Sequence, residues 1–255
     1  MKPLRIVYGL IGFVVVAALW QIIAISPISG GALPTATATF SEFGTLVPDG
    51  RFWVDTWRTI EVALGGFILA VVVGVVVGVL LASSQVTMHA TRVLLEFLKP
   101  IPPIVILPLA VLVLGPTTNM GVFLVFYGCV LPIIMQTAAG VFDVDPIAVA
   151  TAESFNMGRL EVLWRVVLPS SLSYIGTAIR VSVPTSLIIA VVAGLLGGGP
   201  GLGNSLLRAQ LSGSLSLLFA YVVALGLLGL VFQGASELIE RRMLHWHPSY
   251  RKEEH

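Results

Sequence analysis

Apolar residues run nearly unbroken for about twenty positions at a time, and polar, glycine or proline residues separate one run from the next. Six such runs fall at approximately 6–25, 60–82, 94–114, 119–138, 173–196 and 216–236. A hydrocarbon core about 30 Å thick needs roughly 20 residues of helix at 1.5 Å rise each, so every run is long enough to cross a bilayer. Backbone groups in lipid must be satisfied within the segment, which selects helix over open strand. The pattern therefore predicts an all-α membrane protein of about six transmembrane helices, one transmembrane domain over 1–255, with modest connections and no room for a large soluble domain. Composition agrees: 56% of residues are hydrophobic, 11% are charged, and mean hydropathy is +0.98.

An even number of spans puts both termini on one side. That side collects Lys2, Arg5, Arg92, Lys99, Arg159, Arg165, Arg180, Arg241, Arg242, Arg251 and Lys252, 11 of the 14 basic residues, and leaves Arg51, Arg58 and Arg208 opposite. Basic residues in short loops stay in the cytoplasm, so the termini, the 83–93 turn and the 139–172 connection are expected there. Net charge is +1, too small to argue for nucleic acid as a partner. Lys2 and Arg5 before an apolar run, with Ala36-Thr37-Ala38 beyond it, have the outline of a signal peptide. The run from Ile6 to Ile25 exceeds a usual signal core and reads as a retained first helix.

The connections carry further expectations. Trp53 and Trp57 among Arg51, Asp55 and Arg58 suit either a helix at the membrane surface or a plain linker within 26–59. Gly74 and Gly78, four apart, permit close helix packing inside the subunit or across a dimer. Pro100, Pro102, Pro103 and Pro108 free backbone carbonyls in the third run. Pro102, Pro103 and Pro108 are thus candidates for lining a path, against a kinked turn at the membrane surface. The glycines between Gly194 and Gly203 lack a following Lys-Ser or Lys-Thr, so they read as a tight external turn and not as a phosphate loop.

Several chemistries find no residues. The central apolar stretches hold no ionisable group; Glu61 and Arg180 fall near the estimated ends of their runs and read as interface anchors. No histidine lies within a run to serve a nucleophile or a metal, and His245-Trp246-His247 reads as an anchor before a metal site. Cys129 alone forms neither a disulfide nor a thiolate cluster and reads as a small buried residue. No Gly-x-x-x-x-Gly-Lys sequence exists, so this chain is not expected to hydrolyse ATP.

The 139–172 connection does carry a signal. Asp143 and Asp145-Pro146 supply an N-capping pattern, Ala148, Ala150, Thr151, Ala152 and Glu153 favour a short helix, and Asn156 and Gly158 end or turn it. A second amphipathic stretch runs from Leu160 to Val167, and Leu168-Pro169 is expected to stop it at the membrane. A compact helix of small residues between caps suits insertion into a groove on a soluble partner.

From Ala150 through Glu153, Asn156, Gly158 and Val166 to Leu168-Pro169, the sequence resembles the Glu-Ala-Ala loop of binding-protein-dependent ABC importer permeases. Leu33-Pro34-Thr35, Gly66-Phe67, Lys99 to Pro103, Leu107-Pro108-Leu109, Gly140-Val141, Val144-Asp145-Pro146 and Gly201-Leu202-Gly203 extend the resemblance over nearly the whole chain, to the nitrate, sulfonate and taurine branch. The resemblance implies a type I importer permease in the bacterial cytoplasmic membrane. It further implies a dimer with a second permease, either an identical copy or an unlike subunit, and two ABC ATPases that carry ATP and Mg, leaving this chain without cofactor or catalysis. An extracytoplasmic binding protein would deliver the solute. The ATPase-docking coupling helix then comprises Ala150, Thr151, Ala152, Glu153, Ser154, Asn156 and Gly158, with Leu168 and Pro169 fixing the return to the membrane. Ala150 replaces the family's Glu and Asn156 its Gly. Glu153 lies one helical turn on and can supply the charge, and Asn tolerates the left-handed turn. An ion-coupled secondary carrier is the alternative function, although such carriers place acids and broken polar helices within the membrane.

Overall fold

The computed structural model describes residues 2–82 and 84–243. The His245-Trp246-His247 cluster therefore lies outside the described residues. Every regular element among them is helical: α1 (Lys2–Ile25), α2 (Ala36–Leu46), α3 (Gly50–Ala82), α4 (Gln85–Leu98), α5 (Pro103–Leu114), α6 (Thr118–Phe142), α7 (Pro146–Ser154), α8 (Arg159–Val162), α9 (Leu168–Gly197), α10 (Leu202–Leu211) and α11 (Leu215–Met243). Hydroxyl caps begin several of them. Thr35 Oγ1 accepts from Ala38 N, and Thr117 Oγ1 from Met120 N, satisfying amide donors that the first helical turn leaves without partners.

Three helices make the centre. Glycines fix the α3–α6 seam: a Cβ at Gly66 would sit 2.5 Å from Val125 Cβ, one at Gly74 2.7 Å from Ile133 Cγ2, and one at Gly78 2.7 Å from Thr137 Cβ. The contact partners advance in the same direction on both helices, so α3 and α6 are parallel. Gly74 and Gly78 pack inside the subunit, one of the two readings their spacing left open. The α6–α9 contacts run the other way, from Met120 against Gly197 to Gly140 against Tyr174, so α9 is antiparallel to both. Val62, Phe67, Val125, Ile133, Ile179 and Val183 are buried where the three meet.

Five helices are long and apolar enough to cross a membrane: α1, α3, α6, the continuous stretch Arg159–Gly197, and α11. The expected run 94–114 is not one helix. Residues 86–98 and 103–114 are two helices bent by 86°, a broken sixth span or a re-entrant loop. Consecutive prolines at 102 and 103 provide the cause, since each removes an amide donor and holds the preceding residue out of helical geometry. The second run also begins earlier than its apolar core. Trp53 and Trp57 belong to the first turns of α3, a 33-residue helix that extends past the start of α6.

Candidate functional site

The connection from α6 to α9 begins with a tie and not with a cap. Asp143 closes α6 with its amide on Ala139 O, and its carboxylate accepts from Tyr174 Oη at 2.7 Å. The expected capping role of Asp143 is thus taken by Asp145 alone, whose Oδ1 accepts from Ile147 N at 2.8 Å. Pro146 occupies the first turn of α7, where its missing amide costs nothing. Gly140 lets α9 close on this corner, because a Cβ there would lie 2.8 Å from Tyr174 Cβ.

At its other end α7 closes by a complete Schellman motif. Met157 N donates to Ala152 O at 3.3 Å and Asn156 N to Glu153 O at 2.9 Å. Asn156 sits at φ 63°, the left-handed conformation the motif needs. It is the non-glycine residue at positive φ among the described residues, so the turn survives the replacement of the family's Gly. Gly158, at φ −68°, requires no such freedom and begins α8.

Between these ends, α7 buries Ala152 and leaves Ala150, Thr151, Glu153 and Ser154 exposed. The hydroxyls of Thr151 and Ser154 bond back to Ile147 O and Ala150 O. Glu153 makes no ion pair among the described residues. Sequence reading, guided by small residues and caps, passed over the large ones. Ile147, Phe155, Leu160 and Trp164 are 73%, 77%, 69% and 65% exposed. Four large apolar residues in a connection otherwise rich in polar and small ones were the available signal.

Leu168-Pro169 does not stop the second stretch, as the sequence suggested. The chain passes from α8 through a π turn, Leu163–Val167, directly into α9. Leu168 N reaches back five residues to Leu163 O. Such a widened turn shifts the pairing just where Pro169 lacks a donor, so the proline is absorbed near the start of α9.

The three path candidates separate. Pro102 and Pro103 line an apolar cavity of about 200 Å³ with Leu107 and Leu124 on one side and Ile188 and Val192 of α9 on the other. Pro103 lies against Gly128 near the middle of α6. Leu98 O, at the break, accepts from Ile101 N and Tyr127 Oη. Pro108 sits inside α5 on its exposed side, away from that cavity.

The glycine run has a different structural role at the opposite end. Leu202 N donates to Thr59 Oγ1 at 2.9 Å. Gly201, at φ 127°, has no space for a Cβ beside that hydroxyl, and a Cβ on Gly203 would lie 2.2 Å from Val191 O. Close backbone approach in a conformation L residues rarely adopt accounts for Gly201-Leu202-Gly203. Asp55 joins Ser205 and Arg208 of α10 beside an open cavity of about 940 Å³ that also reaches Arg51 and Tyr221. Glu61 forms an exposed pair with Arg58 at 2.8 Å. Arg180, taken as an anchor, instead pairs with Glu240 at 2.9 Å.

Residues 70–245 match the family described as the inner membrane component of binding-protein-dependent transport systems. The chain is 28% identical over 249 residues to a protein named for aliphatic sulfonates transport in Bacillus subtilis, covering 95% of this chain and 88% of that one. It is 27% identical over 201 residues to a nitrate import permease protein of Leptolyngbya laminosa, covering 79% and 72%. With the taurine transport system permease protein of Escherichia coli the identity is 25% over 233 residues, covering 89% and 85%. Among solved structures, an inward-facing MetNI methionine ABC transporter chain superposes with a TM-score of 0.66 at 18% identity, over 75% of this chain and 95% of that one. A chain of a bacterial ABC transporter involved in alginate import gives 0.63 at 14% identity over 94% and 98%. The fold is the type I ABC importer permease fold, and the ion-coupled carrier is set aside. A family match over more than two thirds of the sequence, together with this fold, identifies the chain as a membrane-embedded permease subunit of the binding-protein-dependent ABC importer family.

Proposed function

We propose that α7 docks an ABC ATPase subunit and that the end of the bundle carrying residues 143–167 faces the cytoplasm of a bacterial inner membrane. The observation that supports docking is the exposure of Ile147, Phe155, Leu160 and Trp164 around a helix fixed only at its ends. Large apolar side chains left exposed on a connection are stabilised by a partner that covers them. Ala150, Thr151, Ala152, Glu153, Ser154, Asn156 and Gly158 form the inserted knob. Leu168 and Pro169 join it to α9, so a displacement of the knob is passed directly to a membrane helix. The distribution of basic residues, ten apart from Arg180 on that side against three opposite, supports the orientation. ATP and Mg belong to the ATPase, and this chain supplies no catalytic group.

The solute is a small oxyanion handed over by an extracytoplasmic binding protein. Nitrate, aliphatic sulfonates and taurine, the compounds for which the relatives are named, all carry one. Pro102 and Pro103 line the path at the break in the sixth span, where irregular backbone at membrane depth marks solute sites in other transporters. Pro108 reaches the path only where a second permease faces α5. The left-handed turn that Asn156 keeps favours an identical copy as the second permease, with Glu153 standing in for the acid that Ala150 lacks.

Two differently tagged copies of this chain, expressed with the ATPase and binding protein, test the assembly. Recovery of both tags in one complex is expected; recovery of each tag solely with an unlike permease would contradict it. Glu153→Arg is expected to lower ATPase recovery, and unchanged recovery and uptake would move the docking site elsewhere.

A further inference from the structure

The sequence places no charge in the central apolar stretches, yet the Arg180–Glu240 pair lies close to the level of the middle of α6. Two contacts bracket its depth. Ser182 O accepts a contact from Cys129 Sγ at 3.7 Å, and Cys129 is next to the middle of the 25-residue α6. Tyr174 packs on Gly140 near the end of α6. Arg180 lies between the two and closer to Ser182, from which it is separated by about 3 Å of helix rise. With the middle of α6 at the bilayer centre, a hydrocarbon core extending about 15 Å to either side contains the pair.

The partners are unequally placed. The Glu240 side chain is 8% exposed and the Arg180 side chain 46%. Nη1 of Arg180 donates to Glu240 Oε2 at 2.9 Å, and the remaining guanidinium donors have no partner among the described residues. They emerge on a face of α9 that also exposes Thr177, Val181 and Ile188. Exposed positions at comparable depth on α3, such as Ile68 and Val72, are apolar, while the end of α4 exposes Glu96 and Lys99. A guanidinium turned toward lipid at this depth is strongly unfavourable, and intramembrane charges face a bundle interior or an aqueous cavity. The half-exposed Arg180 guanidinium therefore places water beside this part of α9, and the exposed residues of α3 fit lipid.

We propose that Arg180 binds the solute's oxyanion at mid-membrane and that Glu240 is its positioning residue; this rests on the permease reading above. The guanidinium presents a planar fork of donors that matches two oxygens of a nitrate or sulfonate group. Glu240 holds the fork on the α9 face and offsets part of its charge. An anion then binds well enough to enter and weakly enough to leave, which conduction requires.

The test uses the complete transporter, with its ATPases and binding protein, in proteoliposomes, and nitrate, ethanesulfonate and taurine as probes. The variant is R180Q/E240Q, which keeps a hydrogen-bonding pair in the same space without either charge. Assembly is expected to persist, while uptake falls at least tenfold. A pair that serves only to hold α9 against α11 predicts uptake within twofold of wild type, and that result would overturn the inference. R180C/E240Q gives a second readout should the first variant fail to assemble. Its added thiol is expected to react with aqueous methanethiosulfonates, and the cationic aminoethyl reagent to restore uptake where the anionic sulfonatoethyl reagent does not. Cys129 is buried and serves as the unreactive control. A thiol at 180 that water-borne reagents never reach would also overturn the inference. If wild type takes up none of the three probes, the oxyanion reading itself fails; if wild type takes them up and the double variant does too, only the role of Arg180 fails.

Discussion

Two short helices, α7 and α10, join long spans at opposite ends of the same molecule, and they are held in opposite ways. α10 buries Leu202, Gly203, Ser205 and Ala209, and hydrogen bonds from three different residues tie it to α3. α7 buries Ala152 alone and keeps its shape by the Asp145 cap and the Schellman turn at Asn156. The first is completed by its own chain. The second is folded but uncovered, which is the condition of a surface completed by another molecule. The difference teaches that the two helices stand differently toward the fold: damage to α10 is damage to the fold, whereas α7, which buries Ala152 alone, is where the proposed interface can be tested apart from it.

The largest expected effect follows from the closest approach. Gly203→Val places a branched side chain where even a Cβ meets Val191 O at 2.2 Å and Leu195 N at 2.7 Å, both backbone atoms that cannot turn aside. Overpacking of this kind costs about 3 kcal/mol or more. The variant is expected to lose most of its folded yield, measured by size-exclusion chromatography in detergent; normal yield would mean that α10 does not pack as described.

Phe155→Glu on α7 is expected to do the reverse. Phe155 is 77% exposed, so yield and thermal midpoint should stay at wild-type values while ATPase recovery in co-purification drops about tenfold, the equivalent of ~1.4 kcal/mol of binding. A fall in thermal midpoint with recovery intact would place Phe155 in the fold and not at the interface.

The smallest effect concerns the turn. Asn156→Gly removes left-handed strain and Asn156→Ala raises it, each by roughly 1 kcal/mol. Amide exchange of α7 should slow slightly in the first variant and quicken in the second. ATPase recovery should follow the same order within a few-fold, and the opposite order would argue that Asn156 acts by contact.

The sequence made α7 legible because caps are local: Asp145, Pro146 and Asn156 act on backbone groups within five residues of themselves. Apolar length likewise showed the positions of α1, α6, α9 and α11. Three features escaped it. α10 was hidden in a glycine run whose purpose is contact with Thr59 and Val191, residues distant in sequence. The break at 99–102 was foreshadowed by prolines, but its 86° bend depends on what packs around it. The level of Arg180 along the bundle and its pairing with Glu240 escaped it because a residue's level is set by the register of neighbouring helices, here by Cys129 against Ser182 and Gly140 against Tyr174. Position along one apolar run does not contain that register.

The central claim is that α7, and not α10, is the surface the ATPase covers. A photo-crosslinking amino acid at Phe155 and another at Leu211, 78% exposed on α10, in the assembled transporter test it most directly. The account predicts an ATPase adduct from position 155 and none from 211. An ATPase adduct from 211, or its absence at 155 in an assembled complex, would contradict it.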